Sequence, residues 1–179
     1  MKLLILDLDE TLIHASEETL GRKADFITEC YYVYKRPYVL DLIKFRGENF
    51  QVGIWTTAVK DFARTVVENI FSSDYPLKFL WSCDRCTRMY DSELMQPYCI
   101  KNLAKLKRKG YRLEEIIMVD DTPQKLEKNY SNLVRVIEWR GDVEDNELLL
   151  LTKYLSDLKN VDNIRKIEKR SWRSRYKHK

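Results

Sequence analysis

The chain has 179 residues, of which 44% are hydrophobic and 12% aromatic. That is enough apolar material for one α/β domain with a real core; it is short for two domains and argues against extensive disorder. No stretch approaches the roughly 20 apolar residues that span a bilayer, and the first apolar run, Leu3 to Leu6, is too short for a signal peptide, so a cytoplasmic protein without a membrane partner is expected.

Lys2 to Leu8 reads as a buried strand with carboxylates at its C-terminal end. His14 to Glu29 is polar and mixed, a loop that returns at a short aromatic strand, Cys30 to Tyr34. Arg36-Pro37 opens a helix, because proline suits the first helical position; Val39, Leu42, Ile43 and Phe45 fill its apolar face and Gly47 stops it. Phe50 to Trp55 is the next strand, followed by a helix from Lys60 to Phe71 with Phe62, Val66, Val67 and Ile70 at helical spacing. Leu77 to Trp81 is a further short strand, and residues 83–97, with no clean period, read as an irregular insertion. Tyr98 to Lys109 is helical, with Ile100, Leu103 and Leu106 inward and Gly110 as the stop. Ile116 to Val119 is a strand ending in Asp120-Asp121. A short helix follows Pro123, then a strand, Leu133 to Ile137, and a last helix, Glu144 to Leu158.

Strands alternating with helices point to parallel βαβ units and a three-layer, doubly wound, Rossmann-like α/β sandwich. Ligands of such sheets sit outside the carboxyl ends of the strands. Three strand ends carry polar groups here: Asp7 and Asp9, Thr56 and Thr57, Asp120 and Asp121. The domain is expected over residues 1–164. The net charge of +4 is concentrated beyond it, since Arg165 to Lys179 holds eight Lys/Arg and one Glu. This basic C-terminal tail, 165–179, suits contact with a polyanion such as nucleic acid, or a solvated end. Cys83 and Cys86 form a C-x-x-C pair, but the other candidates for zinc, His14, His178, Cys30 and Cys99, lack ligand spacing, so reduced and partly buried thiols are expected.

Asp7 and Asp9 are two residues apart and leave one face of an extended chain. Adjacent carboxylates repel unless one is protonated or a cation binds, and a hard divalent cation such as Mg2+ prefers such oxygens; Asp120 and Asp121 can complete its site. A carboxylate held ionised can attack phosphorus, while a protonated one can give its proton to the leaving oxygen. The phosphoryl oxygens need donors and positive charge, which Thr56 and Lys101 offer.

The run Asp7-Leu8-Asp9-Glu10-Thr11-Leu12 resembles the D-x-D-x-T signature of haloacid-dehalogenase-like phosphatases, in the form found in small phosphatases of the RNA polymerase II C-terminal domain and their NIF-like relatives. Matching pieces are Tyr32-Val33-Tyr34-Lys35-Arg36-Pro37, Ile54-Trp55-Thr56-Thr57-Ala58, Tyr98-Cys99-Ile100-Lys101-Asn102-Leu103 and Met118-Val119-Asp120-Asp121-Thr122-Pro123. The resemblance implies a magnesium-dependent phosphomonoester hydrolase with a small insertion and no large cap domain, working through a phosphoaspartate. It makes Asp7 the nucleophile and Asp9 the general acid/base, whose backbone carbonyl also binds magnesium. Thr56 and Lys101 become phosphate-binding, with Thr57 beside them. Asp121, with Asp120 next to it, becomes the fourth-motif metal ligand, and Arg85 corresponds to an arginine near the substrate of some members. Asp121 stands where many relatives have asparagine, so it adds negative charge. A phosphoserine or phosphothreonine protein is the implied substrate; a small metabolite or nucleic-acid-end phosphate, and a catalytically silent binding module, are the alternatives. The site motifs are complete, which disfavours the silent module.

Overall fold

The apolar run at the start of the chain forms β1 (Leu3–Leu6), buried at all four positions. The computed structural model describes residues 1–176, apart from the side chains of 46–48; His178 lies outside the described residues. Strand side chains alternate between faces, and β1 uses both: Leu4 and Leu6 join one core, Leu3 and Ile5 another on the opposite face. A strand apolar on both faces has to be covered on both.

The remaining elements follow in order: β2 (Ile13–Ser16), β3 (Phe26–Ile27), β4 (Tyr32–Lys35), α1 (Val39–Asn49), β5 (Gln51–Trp55) and α2 (Lys60–Ile70). Then come β6 (Leu80–Trp81), β7 (Thr87–Asp91), β8 (Gln96–Ile100), α3 (Ala104–Lys107), β9 (Ile116–Asp120), β10 (Leu133–Arg135) and α4 (Glu147–Leu158). Five strands build a parallel sheet in the order β10-β9-β1-β5-β6. From β1 the chain moves outward to β5 and β6, then returns to β9 on the other side. The switch point, where ligands bind in such sheets, therefore lies between β1 and β9.

One face is covered by α1, α2 and α4, through Leu42 and Ile43, Ala63 and Val66, and Leu148, Leu151 and Leu155. The other is covered by Leu106 of α3 and Leu126 of a 3-10 stretch, Pro123–Asn132, packed with Trp55, Trp81 and Met118. Each buried Leu or Val contributes about 1.5–3 kcal/mol against staying exposed. The expected three-layer α/β fold is observed, and among the described residues no helix is long and apolar enough to cross a membrane.

Several local readings change. The polar stretch from His14 to Glu29 contains most of β2 and all of β3, which flank β4 in a small antiparallel sheet. Tyr38, at φ +63°, delays α1 to Val39, and the helix runs to Asn49 rather than stopping at Gly47. Residues 83–97 are not irregular: after a 3-10 turn, Cys83–Arg85, they form the hairpin β7–β8, paired from Thr87↔Ile100 to Asp91↔Gln96. Both hairpin faces are partly exposed, so the strands carry no apolar alternation to read. The hairpin claims Tyr98 to Ile100, which leaves α3 as a single turn of the helix expected from Tyr98 to Lys109.

The basic segment is also no solvated end within the described residues. Within it Trp172 is fully buried, as is Ile164 just before it. Trp172 stacks on Tyr154, ring centroids 5.3 Å apart, and its Nε1 donates to the Arg135 carbonyl at 2.8 Å. Part of the segment's charge is spent inside the fold, where Lys169 donates to the carbonyls of Ile164 and Ile167 and Arg173 pairs with Glu147, while Arg170 pairs with Glu168 on the surface.

Candidate active site

Parallel pairing carries β1 to Asp7, whose N–H donates to the Val119 carbonyl at 3.0 Å. The buried Leu8 then turns the chain: its carbonyl accepts from the N–H groups of Thr11, Leu12 and Ile13 at 3.2, 2.8 and 3.1 Å. The reversal places Glu10 at φ +56°, a left-handed backbone that is uncommon outside glycine. Buried carbonyls need donors. The Glu10 carbonyl accepts from the Trp139 N–H at 2.9 Å, and the Arg36 guanidinium reaches the carbonyls of Glu10 and Thr11 at 3.5 and 3.2 Å. Arg36 is itself held by a two-pronged pair with Asp145, both contacts 2.8 Å, the geometry in which Arg–carboxylate pairs are strongest.

On this scaffold the two motif carboxylates meet different surroundings. Asp7 is buried between two ammonium groups: Lys101 Nζ lies 2.8 Å from its Oδ1, outside hydrogen-bonding geometry, and Lys125 Nζ donates to its Oδ2 at 2.9 Å. Burial pushes the Asp7 carboxyl up, but the two lysines outweigh it and hold it below the usual carboxylate range. Asp9 turns the other way and accepts from the Thr56 hydroxyl at 3.1 Å. Burial, then the charges of Asp7 and Glu10, push its carboxyl up to about 6 against that hydrogen bond.

The second strand end is divided similarly. Asp120 is fully buried; its Oδ2 accepts from Lys101 at 2.6 Å and its Oδ1 from the Thr122 N–H at 3.0 Å. Burial and the nearby Asp7 raise its carboxyl to about 6, with the lysines opposing. Asp121 Oδ2 accepts from the Thr122 hydroxyl at 2.9 Å, while its buried Oδ1 has no hydrogen-bond partner among the described residues.

Carboxylate oxygens of Asp7, Asp120 and Asp121 all lie within 4.8 Å of one another. This donor set of hard oxygens, with an Asp121 Oδ1 inside it that accepts no hydrogen bond, fits a magnesium ion. Asp120 already carries two bonds, so Asp7 and Asp121 are the side chains with oxygens to offer. The Asp9 side chain is outside this cluster, directed to Thr56.

Of the residues expected at the site, Asp7, Lys101, Asp120 and Asp121 converge, and Thr56 joins through Asp9. The Thr56 hydroxyl also accepts from the Ala58 N–H at 3.0 Å. Thr57 is half-buried and its side chain makes no hydrogen bond among the described residues. Arg85 is exposed on the turn after β6, its guanidinium over the Trp81 ring at 5.1 Å, with no contact to the carboxylates. All four cysteines are free thiols, and Cys86 is buried with its Sγ 3.8 Å from the Thr56 carbonyl. Sequence reasoning missed Lys125 and the Arg36–Asp145 pair. For Lys125 a signal existed: it follows Asp121 by four residues, the spacing at which helical side chains of opposite charge meet.

A doubly wound sheet with carboxylates at its switch point is the fold of haloacid-dehalogenase-like hydrolases. A solved structure of Fcp1, an essential RNA polymerase II CTD phosphatase, shares it with a TM-score of 0.67 at 17% identity, covering 88% of this chain and 62% of that one. The family model of NLI interacting factor-like phosphatases matches residues 2–165, and the chain belongs to that family. Among curated relatives, a probable C-terminal domain small phosphatase of Dictyostelium discoideum is 31% identical over 92% of this chain and 53% of its own length. The carboxy-terminal domain RNA polymerase II polypeptide A small phosphatase 2 of Mus musculus is 28% identical over 89% of this chain and 58% of its own. The chain thus spans a little over half the length of these relatives.

Proposed function

We propose that the chain is a magnesium-dependent phosphomonoester hydrolase that works through a phosphoaspartate on Asp7. The observation that carries this reading is the unequal environment of two neighbouring carboxylates, Asp7 held ionised by two lysines and Asp9 raised to about 6. An Asp7 oxygen attacks phosphorus as the bond to the leaving oxygen breaks, and protonated Asp9 gives that oxygen its proton. Asp9, now a carboxylate, takes a proton from the water that cleaves the phosphoaspartate, which restores both groups. Thr56 gives its one hydroxyl hydrogen to Asp9 and holds it in place; on substrate binding that hydrogen and an ammonium hydrogen of Lys101 would serve the phosphoryl oxygens, and Thr57 and Arg85, on the turns after β5 and β6, are the further candidates for substrate contact. Asp7, Asp121 and the Asp9 carbonyl would hold magnesium, with Asp120 beside them, and the ion supplies the positive charge that lets an anion approach a phosphate ester.

A phosphoserine or phosphothreonine in a protein is the substrate this reading favours. The pieces added near the sheet's rim are small, β2–β4–β3 and the β7–β8 hairpin, and no cap domain stands among the described residues. The named activity of the relatives supports the same choice. Among the described residues Arg165, Lys166 and Arg175 are the segment's exposed cations without an ion pair, left for an acidic stretch of a partner. Free thiols suit the reducing cytoplasm.

The test is phosphate release from an aryl phosphate by wild type and Asp7→Asn, with and without a chelator. Loss of activity in both arms is expected. Activity surviving in Asp7→Asn refutes the nucleophile, and activity indifferent to the chelator refutes the metal. A panel of phosphopeptides, sugar phosphates and nucleotides then ranks substrate classes, and phosphopeptides coming last would favour a small-metabolite or nucleic-acid-end substrate.

A further inference from the structure

The two lysines of the site are not equivalent. Lys101 has a fully buried side chain fixed between Asp7 Oδ1 and Asp120 Oδ2, at 2.8 and 2.6 Å. The Lys125 side chain keeps 17% of its surface exposed and faces all three clustered carboxylates, 2.9 Å from Asp7 Oδ2, 3.5 Å from Asp120 Oδ1 and 3.7 Å from Asp121 Oδ1. The backbone beneath it is anchored: the Lys125 N–H donates to Thr122 and its carbonyl accepts from the Lys101 N–H at 2.7 Å. A flexible ammonium on a fixed stem, open to solvent on one side, can withdraw from its partners, whereas boxed-in Lys101 cannot.

We propose that Lys125 is a tethered counter-cation of the carboxylate cluster, which competes with a divalent cation for Asp7 and Asp121 and so sets how tightly the cluster binds metal. The phosphatase reading supplies only the identity of that metal as magnesium. The charge logic is local. Asp121 brings a carboxylate to a position that an uncharged amide could fill, and Lys125 brings the matching positive charge four residues on. A cation approaching Asp7 Oδ2 and Asp121 Oδ1 meets the ammonium that already neutralises them, and like charges this close repel strongly in a buried site. The bland alternative is a lysine that merely ties the 3-10 stretch to β1. It predicts lost stability on substitution but no gain in metal affinity.

The measurement is calorimetric titration of the whole chain with magnesium alone, without substrate, for wild type, Lys125→Gln and Lys125→Arg. Removing the charge should tighten magnesium binding at least tenfold, while Lys125→Arg should stay within threefold of wild type. Unchanged or weaker binding by folded Lys125→Gln overturns the proposal. If that variant fails to fold, wild-type protein carrying 13C at the lysine Cε serves instead. Magnesium should then shift the Lys125 resonance more than that of Lys101, and a Lys125 resonance indifferent to magnesium overturns the proposal. Neither readout involves hydrolysis. Activity surviving in Asp7→Asn would therefore refute Asp7 as the nucleophile without touching this proposal.

Discussion

Replacing Arg36 with alanine should be among the most damaging single changes outside the carboxylate cluster. Its guanidinium is fully buried, grips Asp145 with two contacts of 2.8 Å and faces the carbonyls of Glu10 and Thr11 in the turn that follows Asp9. Removing one partner of a buried ion pair typically costs about 3–5 kcal/mol, because the other charge is left uncompensated. The Asp145 side chain is 15% exposed, so water can partly replace the lost partner and the lower end applies, about 3 kcal/mol. With a urea m-value near 2 kcal/mol/M, the unfolding midpoint should fall by about 1.5 M. Arg36→Lys should recover less than half of that, since an ammonium cannot form the fork. The Arg36→Ala/Asp145→Ala pair should be less destabilised than the sum of the single changes, by at least about 1 kcal/mol. A midpoint shift below about 0.5 M, or strict additivity of the two changes, would refute the clamp.

Four further outcomes follow from the structure. With its carboxyl raised to about 6, Asp9 loses its proton as pH rises through that value. kcat/KM on an alkyl phosphate, whose leaving oxygen needs a proton, should therefore fall above pH 6, and a flat profile from pH 5 to 8 would argue against Asp9 as the acid. The same raised carboxyl takes up a proton in the folded state between about 4 and 6, so its stabilising effect is lost as pH climbs past 6; Asp9→Asn should then be the more stable protein at pH 7.5 by about 1–3 kcal/mol in chemical unfolding. Gly53→Ala should lower the melting temperature, because a Cβ there would stand 2.5 Å from the Phe79 ring; overpacking of this kind costs about 1–3 kcal/mol, and an unchanged melt would mean the ring moves aside freely. Trp172→Ala should cost about 3–5 kcal/mol in urea unfolding, as expected of a fully buried indole stacked on Tyr154, whereas a solvated tail predicts no change.

Much of the site was legible because strand ends announce themselves. The apolar runs Leu3 to Leu6 and Ile116 to Val119 stop at aspartates, and parallel pairing of β1 with β9 brings those ends together. Lys101 was legible as a residue, but its setting was not: the helix expected from Tyr98 to Lys109 gives way to the end of β8, in a hairpin whose half-exposed strands lack the alternation that marks a sheet face. The basic segment misled for a related reason. Its charges dominate its composition, while the side chains that pack it on the domain are few, Trp172 with the partly buried Ile167 and Tyr176, with no period to betray them.

By itself the sequence determined the class of fold, since strands apolar on both faces and separated by helical segments have to be sandwiched. It also marked the candidate site, because its carboxylates close those strands. Only the tertiary structure decided which cations meet them. Lys125 contacts Asp7 from 118 residues away, and Arg36 finds Asp145 from 109. Pairs so distant leave no local pattern; they form because sheet register and the packing of loops on the rim bring opposite charges into one buried space, where leaving either unpaired would be costly.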